Sequence, residues 1–192
     1  MDKETGIWTL EEAKKRHRYD PKLAQAMYNM FYPHSVADIG CGTGMYCKFF
    51  KELGCEVVNG YEGTQDVKSI AVYDDIMFID LTKKRVVGLN YDLVLCLEVG
   101  EHIPLGFEQT FIDNVAAFTS QYLVLSWAIP GQGGLGHFNE KSNEDVISEL
   151  AKRGLLCDLY KSERLRSEST LKWFKNTVMV FSRYVYEKGS LR

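Results

Sequence analysis

No stretch of this 192-residue chain approaches the ~20 consecutive apolar residues that a membrane-crossing helix needs. Its opening, "MDKETGIWTLEEAKKRH", has neither a hydrophobic signal core nor a small-residue cleavage site, so a cytoplasmic location is the default expectation. The five cysteines (Cys41, Cys47, Cys55, Cys96 and Cys157) are odd in number and scattered, with no C-x-x-C pair. Neither a disulfide framework nor a zinc site follows from that pattern. Cys96 lies in an apolar run and reads as core. Internal repeats and low-complexity linkers are also missing. The length therefore suits one domain over residues 1–192, an N-terminal helical segment at 1–33 preceding an α/β core at 34–192.

What is present is the composition of a soluble globular protein, 45% hydrophobic and 26% charged. The net charge of −3 is unevenly spread. Residues 161–192 hold eight Lys/Arg against three Glu, a local +5, which leaves −8 on residues 1–160. A basic stretch can meet an anionic partner, but a solvated strand face is the commoner cause.

Strand and helix signals alternate along the chain. Thr9 and Glu12 are spaced as a capping box for a short helix. Asp20 and Pro21 open a second helix with Leu23, Met27, Met30 and Phe31 on one face. "SVADI" reads as a buried strand, "MYCKFFKEL" as a helix stopped by Gly54, and "CEVVNGYEG" as the next strand. "SIAVYDDIMFIDLT" suggests a weak helix and then a strand around Met77–Ile79. "YDLVLCLEV" and "QYLVLSWAI" are apolar runs typical of strands covered on both faces, separated by the amphipathic "LGFEQTFIDNVAAF". "SNEDVISELAKRG" is a helix, while "LLCDLYKSERL" and "NTVMVFSRYVY" read as strands. This order predicts an α/β fold: one doubly wound, mostly parallel sheet with helices on both faces.

In such sheets a ligand sits beyond the carboxyl ends of the central strands, where the strand order reverses. The loop of "VADIGCGTGMYCKFF", with glycines at 40, 42 and 44, belongs there. Glycine lets backbone approach a ligand, and the following helix offers free N–H groups. Glu62, ending the second strand, stands where an acid can accept from ribose hydroxyls. The dinucleotide fingerprint G-x-G-x-x-G/A is not met, because its last position is Met45. A ligand with a ribose and no pyrophosphate fits better, and a nicotinamide-dependent oxidoreductase is disfavoured.

"VADIGCGTG", Glu62, "FIDLT" and "YDLVLCLEVGEHIP" together resemble the class I S-adenosylmethionine-dependent methyltransferases, over residues 20 to 185. The resemblance implies the family's fold, with an antiparallel C-terminal strand, and S-adenosyl-L-methionine as cofactor, S-adenosyl-L-homocysteine as product. It further implies that the loop Gly40, Cys41, Gly42 and Gly44 packs against the methionine portion, with Asp38 beneath it. Glu62 would bind the ribose diol and Asp80 the adenine amine, with Leu81 as an apolar wall. Leu97 and Glu98 would meet the methionine amino group.

The stretch from Ser126 to Asp145 leaves the carboxyl end of strand five and carries Trp127, Gln132, His137 and Asn139 among four glycines. It is expected to be a mobile substrate lid, with His137 the first candidate for the base and His102 the second. His17 and His34 count as surface; Trp8, Tyr19 and Trp173 count as core rather than cavity lining. No D/N-P-P-Y/F follows strand four, no Pro-Cys pair offers a nucleophile, and Ala128-Ile129 stands where a catechol-type magnesium site has Asp-Asn. No metal is expected. The leading function is methyl transfer to oxygen or nitrogen of a small molecule. An RNA methyltransferase, suggested by the +5 segment, and a non-catalytic cofactor-binding protein are the alternatives; oligomeric state is left open.

Overall fold

Among the described residues seven strands make one sheet: β1 (Ser35–Ile39), β2 (Val57–Glu62), β3 (Ile76–Phe78), β4 (Tyr91–Leu97), β5 (Thr119–Ser126), β6 (Leu155–Cys157) and β7 (Met179–Arg183). The computed structural model describes residues 1–84 and 90–184. Across the sheet the order is β3-β2-β1-β4-β5-β7-β6. Among the described residues the pairings are parallel except those of β7, which runs against both β5 and β6. The chain winds outward from β1 to β3 and then returns to the other side of β1 as β4. The carboxyl ends of β1 and β4 therefore flank the switch point.

Successive side chains on a strand face opposite ways, and here both faces are covered. From β4, Val94 and Cys96 enter one core with Phe111, Ile112 and Val115 of α4 (Glu108–Phe118) and Val146 and Leu150 of α5 (Asn143–Ala151). Leu93 and Leu95 enter the other core. They meet Leu23 and Met27 of α2 (Pro21–Phe31), Phe50 of α3 (Met45–Glu52) and Leu165 of α6 (Leu159–Glu168). Burying each such side chain contributes about 1.5–3 kcal/mol. An exposed pair such as Lys15–Glu11 contributes about 0–1, so packing dominates.

The helix starts follow their caps. Thr9 and Glu12 close the expected capping box on α1 (Leu10–Arg16), and Ser142 accepts from the Asp145 N–H at the head of α5. Three expectations need correction. The run 155–165 is a strand for three residues; Asp158 then accepts from the Lys161 N–H and starts α6. Between β2 and β3 stands a single 3-10 turn, Val67–Ser69, in place of the weak helix. Asn176 and Thr177 belong to the short α7 (Phe174–Thr177), and residues 185–186 of the last expected strand lie outside the described residues.

Asp20 ties the N-terminal helices to the far end of the chain. It is fully buried, and its Oδ1 accepts from the N–H groups of Lys22 and Leu23 at the head of α2. Its Oδ2 accepts from the Ser169 hydroxyl (2.7 Å) and the N–H groups of Thr170 (2.7 Å) and Leu171 (3.2 Å). Burial pushes its carboxyl up, but these donors outweigh it and hold the group below its ordinary value. Replacing Asp20 by Ala removes an N-cap and orphans buried donors, so a loss of about 3 kcal/mol is expected. The check is urea unfolding, where the midpoint should drop at unchanged slope and Asp20→Asn should fall between. A loss below about 1 kcal/mol would show that the site contributes no more than an ordinary cap.

Candidate active site

The loop between β1 and α3 is held by the end of β2. Gly40 N and Cys41 N both donate to the Tyr61 carbonyl, at 2.7 and 3.1 Å. Glu62 Oε2 accepts from Gly42 N and its Oε1 from Thr64 N, both at 2.8 Å. Bare backbone is required at all three glycines of the loop. Gly40 has φ +72°, and a Cβ there would lie 2.4 Å from Val99 Cγ2; at Gly42 (φ +55°) it would lie 2.5 Å from the His17 ring. Gly44 (φ +79°), where a Cβ would lie 2.8 Å from Tyr73 Cβ, is the N-cap position of α3; neither it nor Gly42 lines the cavity, whereas Gly40 and Cys41 do.

Over this loop opens a cavity of about 440 Å³, within the range of small-molecule sites. Four acids line it: Asp38 of β1, Glu62 of β2, and Glu98 and Glu101 after β4. Leu97, Ile79 and Leu81 add apolar wall. Glu62 keeps spare lone pairs on both oxygens despite its two backbone donors. Burial pushes the Asp38 carboxyl up to about 7, with the Cys47 thiol (3.8 Å) pulling it down and the charge of Glu62 adding to the rise. Burial likewise raises Glu98, against hydrogen bonds from Ser126 and Gln132.

The opposite wall comes from residues not expected there. Thr5–Trp8 and Arg16–Tyr19, flanking α1, line the cavity together with Trp173. Four rings run along it: His17 stacks on Trp8 (5.4 Å between centroids), Trp8 meets His102 (5.1 Å), and His102 meets His137 (5.2 Å). His17 is thus no surface residue, and Trp8, Tyr19 and Trp173 are cavity lining. His34, as expected, is exposed, beside Glu56. Burial pushes His102 down to about 4, so it is neutral near pH 7.

The loop after β5 splits the expected substrate residues. Gln132 and His137 line the cavity. Trp127 does not: it is 1% exposed, packs on Phe111, and donates from Nε1 to the Asn139 carbonyl. Asn139 is equally internal, its amide donating to Glu108 Oε2 at 2.9 Å. Both support the loop from behind. Glu140 braces it in front, accepting from Gly131 N (2.7 Å), Gly133 N (2.6 Å) and facing His137 Nδ1 (3.1 Å). Those contacts, the Gly131 N–H foremost, hold the Glu140 carboxyl below its ordinary value. Asp80, expected on an adenine, spends Oδ1 on the N–H and hydroxyl of Thr82 and stands outside the cavity wall, which Ile79 and Leu81 form.

Glu101 stands beside the candidate His102 but is not itself among the residues expected in the site. It is fully buried, lines the cavity, and neither carboxylate oxygen accepts a hydrogen bond among the described residues. Burial and the charge of Glu98 push it well above its ordinary value; the nearby N–H groups of Glu101 and Ala128 pull the other way without reaching hydrogen-bonding geometry. Its spacing from Glu98 and its place before His102 were the available signal.

A family model described as a methyltransferase domain matches residues 12–119, a span that includes the glycine loop, Glu62 and the turn after β4. The chain belongs to the class I S-adenosylmethionine-dependent methyltransferases. None of the curated proteins compared matches it. Solved structures share the fold at low identity. Magnesium protoporphyrin IX methyltransferase (ChlM) from Synechocystis PCC 6803, with bound S-adenosylmethionine, is 20% identical with a TM-score of 0.61, over 84% of this chain and 76% of that one. The N-methyltransferase NodS from Bradyrhizobium japonicum WM9, in complex with S-adenosylhomocysteine, is 16% identical with a TM-score of 0.63, over 92% and 97%. CalS10 from Micromonospora echinaspora, an amino pentose methyltransferase with bound S-adenosylmethionine, is 14% identical with a TM-score of 0.65, over 91% and 94%.

The cavity of this methyltransferase fits the family's cofactor. Sulfonium and ammonium groups are cations, and a ribose diol is a double donor; the wall supplies Asp38, Glu62 and Glu98. The buried nitrogens Trp8 Nε1 and His17 Nδ1, on the facing wall, have no partner among the described residues, as expected of atoms awaiting a ligand.

Asp38 makes the ligand-free methyltransferase sensitive to pH. The folded protein keeps a proton on this group up to about 7, which the unfolded chain releases near 4. The native state binds more protons in that window, so stability falls as pH rises through it. Asp38→Asn lacks this component. The melting temperature of the variant relative to wild type should therefore rise between pH 5 and pH 8; a flat difference would show that Asp38 is ionised throughout.

Proposed function

We propose that this methyltransferase moves the methyl group of S-adenosylmethionine to an oxygen or nitrogen of a small-molecule acceptor. The observation that carries the reading is the continuity of the cavity, which runs unbroken from the glycine loop and Glu62 to Gln132, His102 and His137. The cofactor supplies an electrophilic methyl on a sulfonium. The chain supplies alignment, which accounts for much of the rate in a displacement of this kind.

In this reading the backbone at Gly40 and Cys41, with Asp38, Leu97 and Glu98, holds the amino-acid portion. Glu62 holds the sugar, and Ile79 and Leu81 sandwich the base. The acceptor occupies the far end, against His102, His137 and Gln132. Glu140 occupies Nδ1 of His137, so Nε2 is the nitrogen left to act on the acceptor. Magnesium protoporphyrin IX and an amino pentose, named for two of the relatives, are small-molecule acceptors.

The basic segment behind the RNA alternative has three of its eight cations engaged within the protein. Lys161 pairs with Asp158 and Arg166 with Glu163, while Arg183 donates to the carbonyls of Thr119 and Arg153. These cations are spent within the protein.

Calorimetry with S-adenosylhomocysteine should give saturable binding, and Glu62→Ala should weaken it about 100-fold or more, the order of two hydrogen bonds to a charged group. Absence of binding at millimolar ligand would overturn the reading. Transfer of labelled methyl to a panel of hydroxyl and amine acceptors should yield product, with His137→Ala lowering kcat about 100-fold or more at unchanged cofactor affinity. Cofactor binding with no product from any acceptor class would favour a non-catalytic protein.

A further inference from the structure

We propose that Glu101, His102 and His137 form a binding site for a divalent transition-metal ion at the acceptor end of the cavity. One ligand atom from each of the three lies within 4.8 Å of the others. They come from two segments that the backbone locks together: Phe138 N and Asn139 N both donate to the Glu101 carbonyl, at 2.9 and 3.1 Å. The ring of Trp127 presses on Gly100, where a Cβ would lie 2.4 Å from it, and so fixes the turn that presents Glu101 and His102.

The partners of the two imidazoles specify which nitrogen is free. His102 Nδ1 lies 3.1 Å from the Gly136 carbonyl, and His137 Nδ1 lies 3.1 Å from a carboxylate oxygen of Glu140. Both partners accept, so both Nδ1 atoms carry the hydrogen and each Nε2 keeps its lone pair. Metal-binding histidines are oriented in this way, one nitrogen held by a carbonyl or carboxylate and the other bare. Glu101 completes the set. A fully buried carboxylate with no hydrogen bond to either oxygen is expensive to maintain unless a cation or another ligand meets it.

Two imidazoles and one carboxylate suit Zn²⁺, Mn²⁺, Co²⁺ or Fe²⁺ better than Mg²⁺ or Ca²⁺, which favour all-oxygen shells. Three protein ligands leave coordination positions open, and all three residues line the cavity. The ligand for those positions would be a hydroxyl oxygen of the acceptor: the ion would ease loss of its proton to water, and the oxygen would take the methyl as the methyl–sulfur bond breaks and S-adenosylhomocysteine leaves. This deepens the reading above, and rests on it for the identity of the acceptor end: the acceptor atom is oxygen, and His137 Nε2 acts on it through the ion.

Tag-free, chelator-treated protein titrated with Co²⁺ should bind one equivalent and develop visible absorption of a nitrogen-ligated ion. Glu101→Gln, which keeps the side chain's shape, and His137→Ala, on the loop, should each weaken binding at least about 10-fold, while His34→Ala on the surface leaves it unchanged. No Co²⁺ binding, or binding that neither variant weakens, overturns the site. The two readings fail separately. S-adenosylhomocysteine binding and methyl transfer that persist in excess chelator would overturn the metal role and leave the methyltransferase reading intact. Co²⁺ bound by these residues with no methyl transfer to any acceptor, metal restored, would leave the site standing and remove the reaction.

Discussion

A single carboxylate, Glu62, grips the N–H groups of Gly42 and Thr64 at once, and the shape of the cavity depends on that grip. A carboxyl group this well buried has to find hydrogen-bond partners. The nearest are main-chain N–H groups, and reaching Gly42 requires the loop after β1 to turn over the end of β2. That turn is open to glycine alone, because Val99 and the His17 ring occupy the space a side chain would need. The acid and the glycines therefore form one device: the acid fixes the loop, and the loop leaves room for a ligand above both.

The cavity gathers four acids, and the protein tolerates the repulsion this entails. Glu98 carries a strain of a different kind, a left-handed backbone (φ +54°) that a residue bearing a side chain seldom adopts. Its amide is held by Ser126 Oγ at 2.9 Å, and Gln132 binds its carboxylate at 2.7 Å, so the strand-five loop maintains the unfavourable conformation. A wall this acidic suits ligands that arrive with positive charge, and it is destabilised while empty.

The sheet, its order of elements and the glycine loop were legible because each rests on a local rule. Nearly unbroken apolar runs wrote β4 and β5, the Asp20-Pro21 and Ser142 caps wrote their helices, and the acid at the end of β2 marked a wall of the site. α6 was misread because only Ser162 and Leu165 of it are buried, too few to print a helical period on the sequence. Trp127 was misassigned although parity could have placed it. Leu123 and Leu125 share one core, and Trp127, two further on, continues into the same one. His17 and Trp8 were invisible for a different reason. Their position depends on how the segment before α2 folds back over the loop, a contact between distant elements with no local signature. Glu101 lay in plain view beside His102, but burial without a partner is a property of the fold.

Two ties join early residues to late ones: Asp20 to the stretch at 169–171, and β6 to β5 through β7. On a ribosome, therefore, the first twenty residues emerge long before their anchor does, and β6 waits at a gap that only a later strand can fill. Until about residue 183 has left the exit tunnel, the nascent chain has strands β1 to β5 but no closed sheet edge beside them. Trp173 and Phe174 are thus the last pieces added to a pocket whose other lining residues end at His137.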